Sequence, residues 1–407
     1  MRTKPDLKTS VLWNISAGFF GVQIAYALQS ANISRIFATL GADPHNLSYF
    51  WILPPLMGMI VQPLVGYCSD KTWMGRLGRR IPYLLAGALV AVLVMCLLPN
   101  AGSLGLTVAS AMTFGLVALM FLDTSINMAM QPFKMMVGDM VNERQKAKAY
   151  SIQSFLCNAG SLVGYVFPYL FAAIGIANVA AAGEIPDSVK WSFYIGAAIL
   201  ILCVIYTTMH VREYTPAEMQ EFQQAALAKT TADDSAPVVT PEAKRAHQQH
   251  ALAVFFQVGL VQFFCWAAFL YMWTYSNGTL AYNCWGGVTN TASKAYQDAG
   301  NWVGVVFAVQ ACGSILWALV IPKFKKIKTA YVASLLIGAA GFVSLLFVHD
   351  KFVACASYFL IGAAWAAMLA LPFTLLTNAL QGSPHIGSYL GLFNCTICLS
   401  LICSWEF

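Results

Sequence analysis

Eleven stretches of this chain are apolar over a length sufficient to cross a lipid bilayer, and that feature constrains the fold more than any other. They lie near 11–37, 48–68, 81–99, 104–135, 148–175, 191–210, 251–276, 300–321, 329–348, 352–378 and 386–404. Each reaches, or falls one short of, the roughly 20 residues that a membrane helix needs. Charge agrees: only 10% of the 407 residues are charged, against about 25% in ordinary soluble domains. The expected fold class is an all-α polytopic membrane protein.

The basic residues orient it. Of 23 lysines and arginines, eighteen fall on one side if the segments alternate from a cytoplasmic N-terminus. Lys190, Lys294 and Lys351 fall on the other side, while Arg35 and Lys134 lie within segments. Such a bias is the positive-inside signature, so the expected site is the cell (inner) membrane with the N-terminus cytoplasmic. The net charge of +6 reflects these loops and predicts no nucleic-acid partner.

Between Arg212 and His250 the composition turns polar, with "EYTPAEMQEFQQAALAKTTADDSAPVVTPEAKRAHQQH". This reads as a cytoplasmic linker over 212–250, separating a six-helix bundle at 1–211 from five helices at 251–407. The last segment reaches Phe407 without a returning helix.

Two charges interrupt the fourth segment, in "LDTSINMAMQPFK". Asp123 and Lys134 are eleven residues apart, so they share a helix face roughly 16 Å apart along the axis. Asn127 and Gln131 fall between them on the same stripe. Exposing either charge to lipid would cost about 2.5–3.5 kcal/mol on insertion scales. The pattern therefore predicts a water-lined interior, with Asp123 taking up a proton in one orientation and releasing it in the other. Each has a plainer reading: snorkelling to the interface for Lys134, and a polar contact between helices for Asp123.

Further polar groups suit a central site. Gln29 lies in a polar run on the first segment that ends at Arg35, for which an interface anchor and a functional charge are both open. Asn158 and Asn394 sit in apolar segments five and eleven. Trp266 leads an aromatic series, "WAAFLYMWTY", able to meet the apolar face of a sugar ring; Trp273 and Tyr275 read better as an interfacial belt. Between segments two and three, Gly66, Asp70, Gly78, Arg79 and Arg80 mark a tight basic turn. There Asp70 can pair with arginines as a latch that breaks when two halves rock.

The stretches "PPLMGMIVQPLVGYCSD" and "RLGRRIPY", with "GVQIAYALQS", "LDTSINMAMQPFKMMVGDM", "NAGSLVGY" and "GLFN", resemble the sugar–proton symporters of the sucrose-transporter group within the major facilitator superfamily. The resemblance implies two pseudo-symmetric bundles of six helices, eleven of the twelve being visible here. It also implies proton-coupled uptake of a sugar, a disaccharide such as maltose or sucrose, with sodium left open. The group carries an aspartate at the place of Asp123 and a basic residue at that of Lys134, linked to coupling and sugar binding. Plant members have arginine there, and the point charge of lysine cannot reproduce its fork. His45 matches a histidine linked to sugar access.

No nucleotide-binding motif appears, and the six histidines are dispersed. The expectation is a monomeric carrier rather than an enzyme, with no cofactor and no metal. A second class stays open, a truncated non-transporting carrier or a sugar sensor.

Overall fold

The computed structural model describes residues 4–42, 51, 53–222, 224, 241–379 and 393. The segment 386–404, Asn394 and His45 therefore fall outside the described residues, apart from Phe393.

Ten long helices form where the apolar runs predict them. The first half holds α1 (Thr9–Thr39), α2 (Leu53–Lys71), α3 (Ile81–Leu97), α4 (Val108–Met140), α5 (Glu143–Ala173) and α6 (Asp187–His210). The second holds α7 (Pro241–Cys284), α8 (Lys294–Ala318), α9 (Ile327–Ser344) and α10 (Lys351–Ala379). Nine of the described helices are long and apolar enough to span a membrane. In hydrocarbon a helix is stable because its backbone groups are satisfied internally. Three helix starts are capped by side chains: Thr107, Asn142 and Ser293 accept from backbone N–H groups of α4, α5 and α8.

Several bounds differ from the sequence expectation, two of them instructively. Helix α7 begins at Pro241, ten residues before its apolar run, because proline is tolerated at the first helical position and "EAKRAHQQH" after it contains no breaker. Helix α4 likewise continues past Lys134 to Met140. Hydropathy marks where a helix leaves lipid, not where its hydrogen bonds end.

Within each half, packing relies on glycine at the closest crossings. A Cβ on Gly160 would sit 2.3 Å from the Phe20 carbonyl where α5 crosses α1. Gly313 and Gly362 serve the α8–α10 crossing, each facing the other helix's backbone at 2.3 Å. Small residues let backbones approach in a medium where the hydrophobic effect between helices is absent.

The halves themselves meet at one end. There α5 packs on α8, with Tyr165 against Phe307 and Tyr169 against Trp302. A Cβ on Gly304 would lie 1.9 Å from the Tyr165 carbonyl. A Gly304→Ala change is therefore expected to push α5 and α8 apart and weaken closure here, while leaving each half folded. A longer separation of spin labels placed at Ala173 and Lys294, exposed on α5 and α8, would show it; an unchanged separation would contradict it.

Candidate functional site

The site can be followed from the centre of the first half outward. Asp123, on α4, is 2% exposed. Its Oδ1 accepts from Gln29 Nε2 of α1 at 2.5 Å. The other carboxyl oxygen and Gln29 Oε1 are both buried and have no hydrogen-bond partner among the described residues. Unmet buried acceptors are uncommon, each costing about 1–3 kcal/mol. A proton or a ligand donor delivered to this pair would relieve both.

The rest of the polar stripe is graded in burial. Asn127 is half-buried; its Nδ2 donates to the Asp123 carbonyl at 2.9 Å and its Oδ1 accepts from Gln62 of α2 at 2.7 Å. Gln131 is half-buried, and Lys134 is exposed. Neither Lys134 nor Gln131 has a hydrogen bond or ion pair among the described residues, so the stripe runs from a sealed carboxyl to an open ammonium. Asn158 is half-buried and donates to the Ser154 carbonyl one turn earlier at 2.8 Å, a local bond within α5.

Aromatic residues fill the corresponding region of the second half. Trp266, Phe269 and Trp273 of α7 pack around Trp365 of α10, with centroid distances of 5.7, 4.9 and 5.6 Å. Trp273 also stacks on Trp51 of the first half at 6.0 Å. Its expected place in an interfacial belt is thus corrected: it packs inward between the halves. A belt and an internal cluster have the same local composition, so sequence alone could not separate them. Tyr275 stacks on Tyr271.

At the end where the halves touch, Arg35 of α1 is 1% exposed. Its guanidinium donates to Gln297 Oε1 at 2.6 Å and Asn301 Oδ1 at 2.6 Å, both on α8. It also donates to Asn178 Oδ1 of its own half at 2.9 Å. Asn178 in turn donates to Asp298 of α8 at 2.7 Å. Every hydrogen bond between the halves, among the described residues, lies at this end or beside it. Ser34 to the Trp273 carbonyl at 3.4 Å and Gln297 to Thr39 at 3.2 Å complete the set. This resolves the two sequence readings of Arg35, since a lipid-interface anchor would not be enclosed by amides of the opposite half.

The opposite end carries the basic turn. Arg80, 2% exposed, donates to Asp139 at 3.0 Å, Asp70 at 2.6 Å and Ser69 Oγ at 2.5 Å. Arg79 pairs with Asp139 at 2.7 Å and lies 3.7 Å from Asp70. The Gly66 carbonyl sits 3.5 Å from Arg80 Nη1, too far for more than a weak contact. Glu213, just past α6, accepts from the backbone N–H groups of Arg79, Arg80 and Ile81 at 3.1, 2.9 and 3.0 Å. A carboxylate there satisfies donors and meets the positive end of α3. Gly78 adopts a φ of 76°, and a Cβ on it would lie 2.6 Å from Glu213 Cδ, so this turn requires glycine. The partners of Asp70 are in its own half, so the expected latch is, in this structure, a brace of α2, α3 and α4.

Gln62, Asp139, Glu213, Gln297, Asn301, Asn178 and Trp365 thus join the site residues that sequence reasoning singled out. Gln62 and Asp139 lay within stretches that carry the family resemblance, and Glu213 stood beside Arg212; the others carried no local signal.

Two helical halves closed at one end, around a buried carboxyl in a membrane-spanning helix, define a multi-pass membrane protein with a two-bundle design. The chain belongs to the Major Facilitator Superfamily, whose sequence profile matches residues 15–403. It is 27% identical over 226 residues to "Sucrose transport protein SUT5" of Oryza sativa subsp. indica, covering 49% of this chain and 41% of that protein. It is 26% identical over 210 residues to "Membrane-associated transporter protein" of Mus musculus, covering 50% and 39%. The matched stretch thus spans about two fifths of each of these relatives. Among solved structures it is similar to the D-xylose–proton symporter, with a TM-score of 0.64 and 16% identity over 98% of this chain and 88% of that one. At that identity the likeness concerns the fold.

Proposed function

We propose that the chain is a secondary active carrier that takes up a sugar, a disaccharide such as maltose or sucrose, together with a proton by alternating access. The observation that carries this reading is the Asp123–Gln29 pair, enclosed at mid-helix with an unpartnered oxygen on each side chain. The names of relatives support the substrate class, one being a sucrose transport protein and one solved neighbour a xylose–proton symporter.

The cycle follows from the two ends. The N-terminus is cytoplasmic, which places Arg35 and the closed contacts at the outer face and the Arg79–Arg80 brace at the inner face. The structure is then the state sealed outside. Asp123 exchanges its proton with water from whichever side is open, and Gln29 stays bonded to it. Sugar hydroxyls are met by Asn127, Gln131 and Lys134 on α4, with Asn158 and Asn394 as further polar contacts and Trp266 as an apolar one. Metal and cofactor play no part in this cycle; a monomer suffices for it.

Replacing Asp123 by asparagine keeps the shape and removes the titrating group. Accumulation of labelled maltose or sucrose against a gradient is expected to fall to simple equilibration, while sugar exchange across the membrane persists. Accumulation by intact cells, with and without a protonophore, reads this directly. Undiminished accumulation in Asp123→Asn would refute the coupling role. Sugar binding without any uptake by the native chain would instead favour a sensor.

A further inference from the structure

The first half carries an apolar groove on its outer wall, where α5 and α6 part over the start of α1. Lys148 of α5 donates to Thr9 Oγ1 at 2.8 Å, which ties α5 to the first turn of α1. Helix α6 is tied through Thr207, whose hydroxyl accepts from the Gly18 N–H at 2.8 Å. Between these ties lies a groove of about 350 Å³, lined by Trp13, Asn14, Ala17, Phe20, Leu156 and Tyr206. It ends where α5 crosses α1 at Gly160, against the Phe20 carbonyl. Trp13 lies roughly 160° around α1 from Gln29, and Leu156 roughly 140° around α5 from Ser161. Ser161 donates to Gln23 at 3.3 Å on the interior side. The groove therefore faces away from the Asp123–Gln29 pair, toward lipid.

Its depth is that of one leaflet. Phe20 is eleven residues past Thr9, about 16 Å along the axis, in a hydrocarbon core roughly 30 Å thick. The rim is amphipathic: Tyr206 donates from its hydroxyl to Asn14 Oδ1 at 3.0 Å, and Trp13 meets Phe155 edge-on at 5.8 Å. Such rings belong at headgroup level. Beyond the rim the charge is positive. Lys148 is exposed beside Lys8, which precedes Thr9, and His210 stacks on Tyr206 at 4.2 Å. None of these three forms an ion pair among the described residues. Asp6, the acid nearest Lys8 in sequence, is engaged by Asn142.

We propose that this groove holds an acyl chain of an anionic phospholipid, with the lipid phosphate on Lys148. The lipid comes from the leaflet on the N-terminal side, the inner one in the topology proposed above. The chain fills the wedge that α5 and α6 leave open over Ala17, and the phosphate neutralises the converging Lys8 and Lys148. A basic residue near the membrane surface favours an anionic headgroup over a zwitterionic one. The site belongs to the first half alone, so it stands whatever substrate the chain carries.

The test is native mass spectrometry of the full chain in detergent, titrated with phosphatidylglycerol or with phosphatidylcholine of identical chains. The native protein is expected to retain one phosphatidylglycerol about fivefold more tightly than phosphatidylcholine. Lys148→Gln should abolish that preference and leave phosphatidylcholine retention unchanged. Ala17→Phe fills the floor of the groove and should weaken both lipids about fivefold. Lys148 is exposed, so its variant reports the headgroup contact even where Ala17→Phe fails to fold. Equal retention of the two lipids by the native chain, or a preference that survives Lys148→Gln, overturns the site. Retention unaffected by a folded Ala17→Phe variant means a general boundary layer of lipid, which overturns it as well.

Discussion

Arg35→Ala is expected to open the closed end of the molecule. Two of the three guanidinium bonds cross to α8, at 2.6 Å each, and hydrogen bonds to a charged group contribute about 1.5–3 kcal/mol apiece. Burying the guanidinium costs part of that gain, because the acceptors are neutral amides and no carboxylate touches it directly. A net loss of about 3 kcal/mol remains, enough to shift the balance between closed and open forms by roughly a hundredfold. Spin labels at Ala173 and Lys294, exposed on α5 and α8, should report a longer separation in the variant. Arg35→Lys keeps the charge without the fork and should fall between. An unchanged distance distribution would mean that helix packing at Gly304, rather than Arg35, holds this end shut. The neutral shell has a consequence for cycling. Opening requires breaking amide contacts rather than a buried ion pair, whose rupture costs about 3–5 kcal/mol.

Arg80→Ala is expected to damage folding of the first half instead. Arg80 ties α3 to Asp139 of α4 and to Asp70 and Ser69 of α2. The Asp70 side chain is 54% exposed, so its share is heavily screened and contributes little. Asp139, 24% exposed, keeps Arg79 as partner. The dominant loss is the packed, fully enclosed guanidinium, and about 3 kcal/mol is the expected destabilisation. Thermal unfolding followed by loss of monodisperse protein should show a clear drop for Arg80→Ala and almost none for Asp70→Asn. Equal sensitivity of the two variants would overturn the ranking.

These two arginines show where the sequence was legible. The helices were readable because lipid imposes one hydropathy rule on each of them, and α7 departed from it only where polar residues prolonged the helix. Asp123 was readable for the same reason, as a carboxyl in an apolar run. Its bond to Gln29 was not, because a contact between positions 94 residues apart leaves no local pattern. Arg35 was visible as a charge, but its shell comes from Asn178 and from Gln297 and Asn301 on α8, where asparagine and glutamine look like ordinary helix glue. Glu213 lay hidden at the start of a polar linker, where any glutamate passes for a solvated one. Trp273 was assigned to a belt because an aromatic run signals amphipathic surroundings without saying which side they face.

The central proposal is that the buried carboxyl of Asp123 carries the proton that moves with the sugar. Proteoliposomes containing a pH-sensitive dye, challenged with maltose or sucrose, measure this directly. The native chain should move protons only when the sugar is added. Asp123→Asn should pass the sugar down its gradient with no accompanying proton. Sugar-dependent proton movement retained in Asp123→Asn would contradict it.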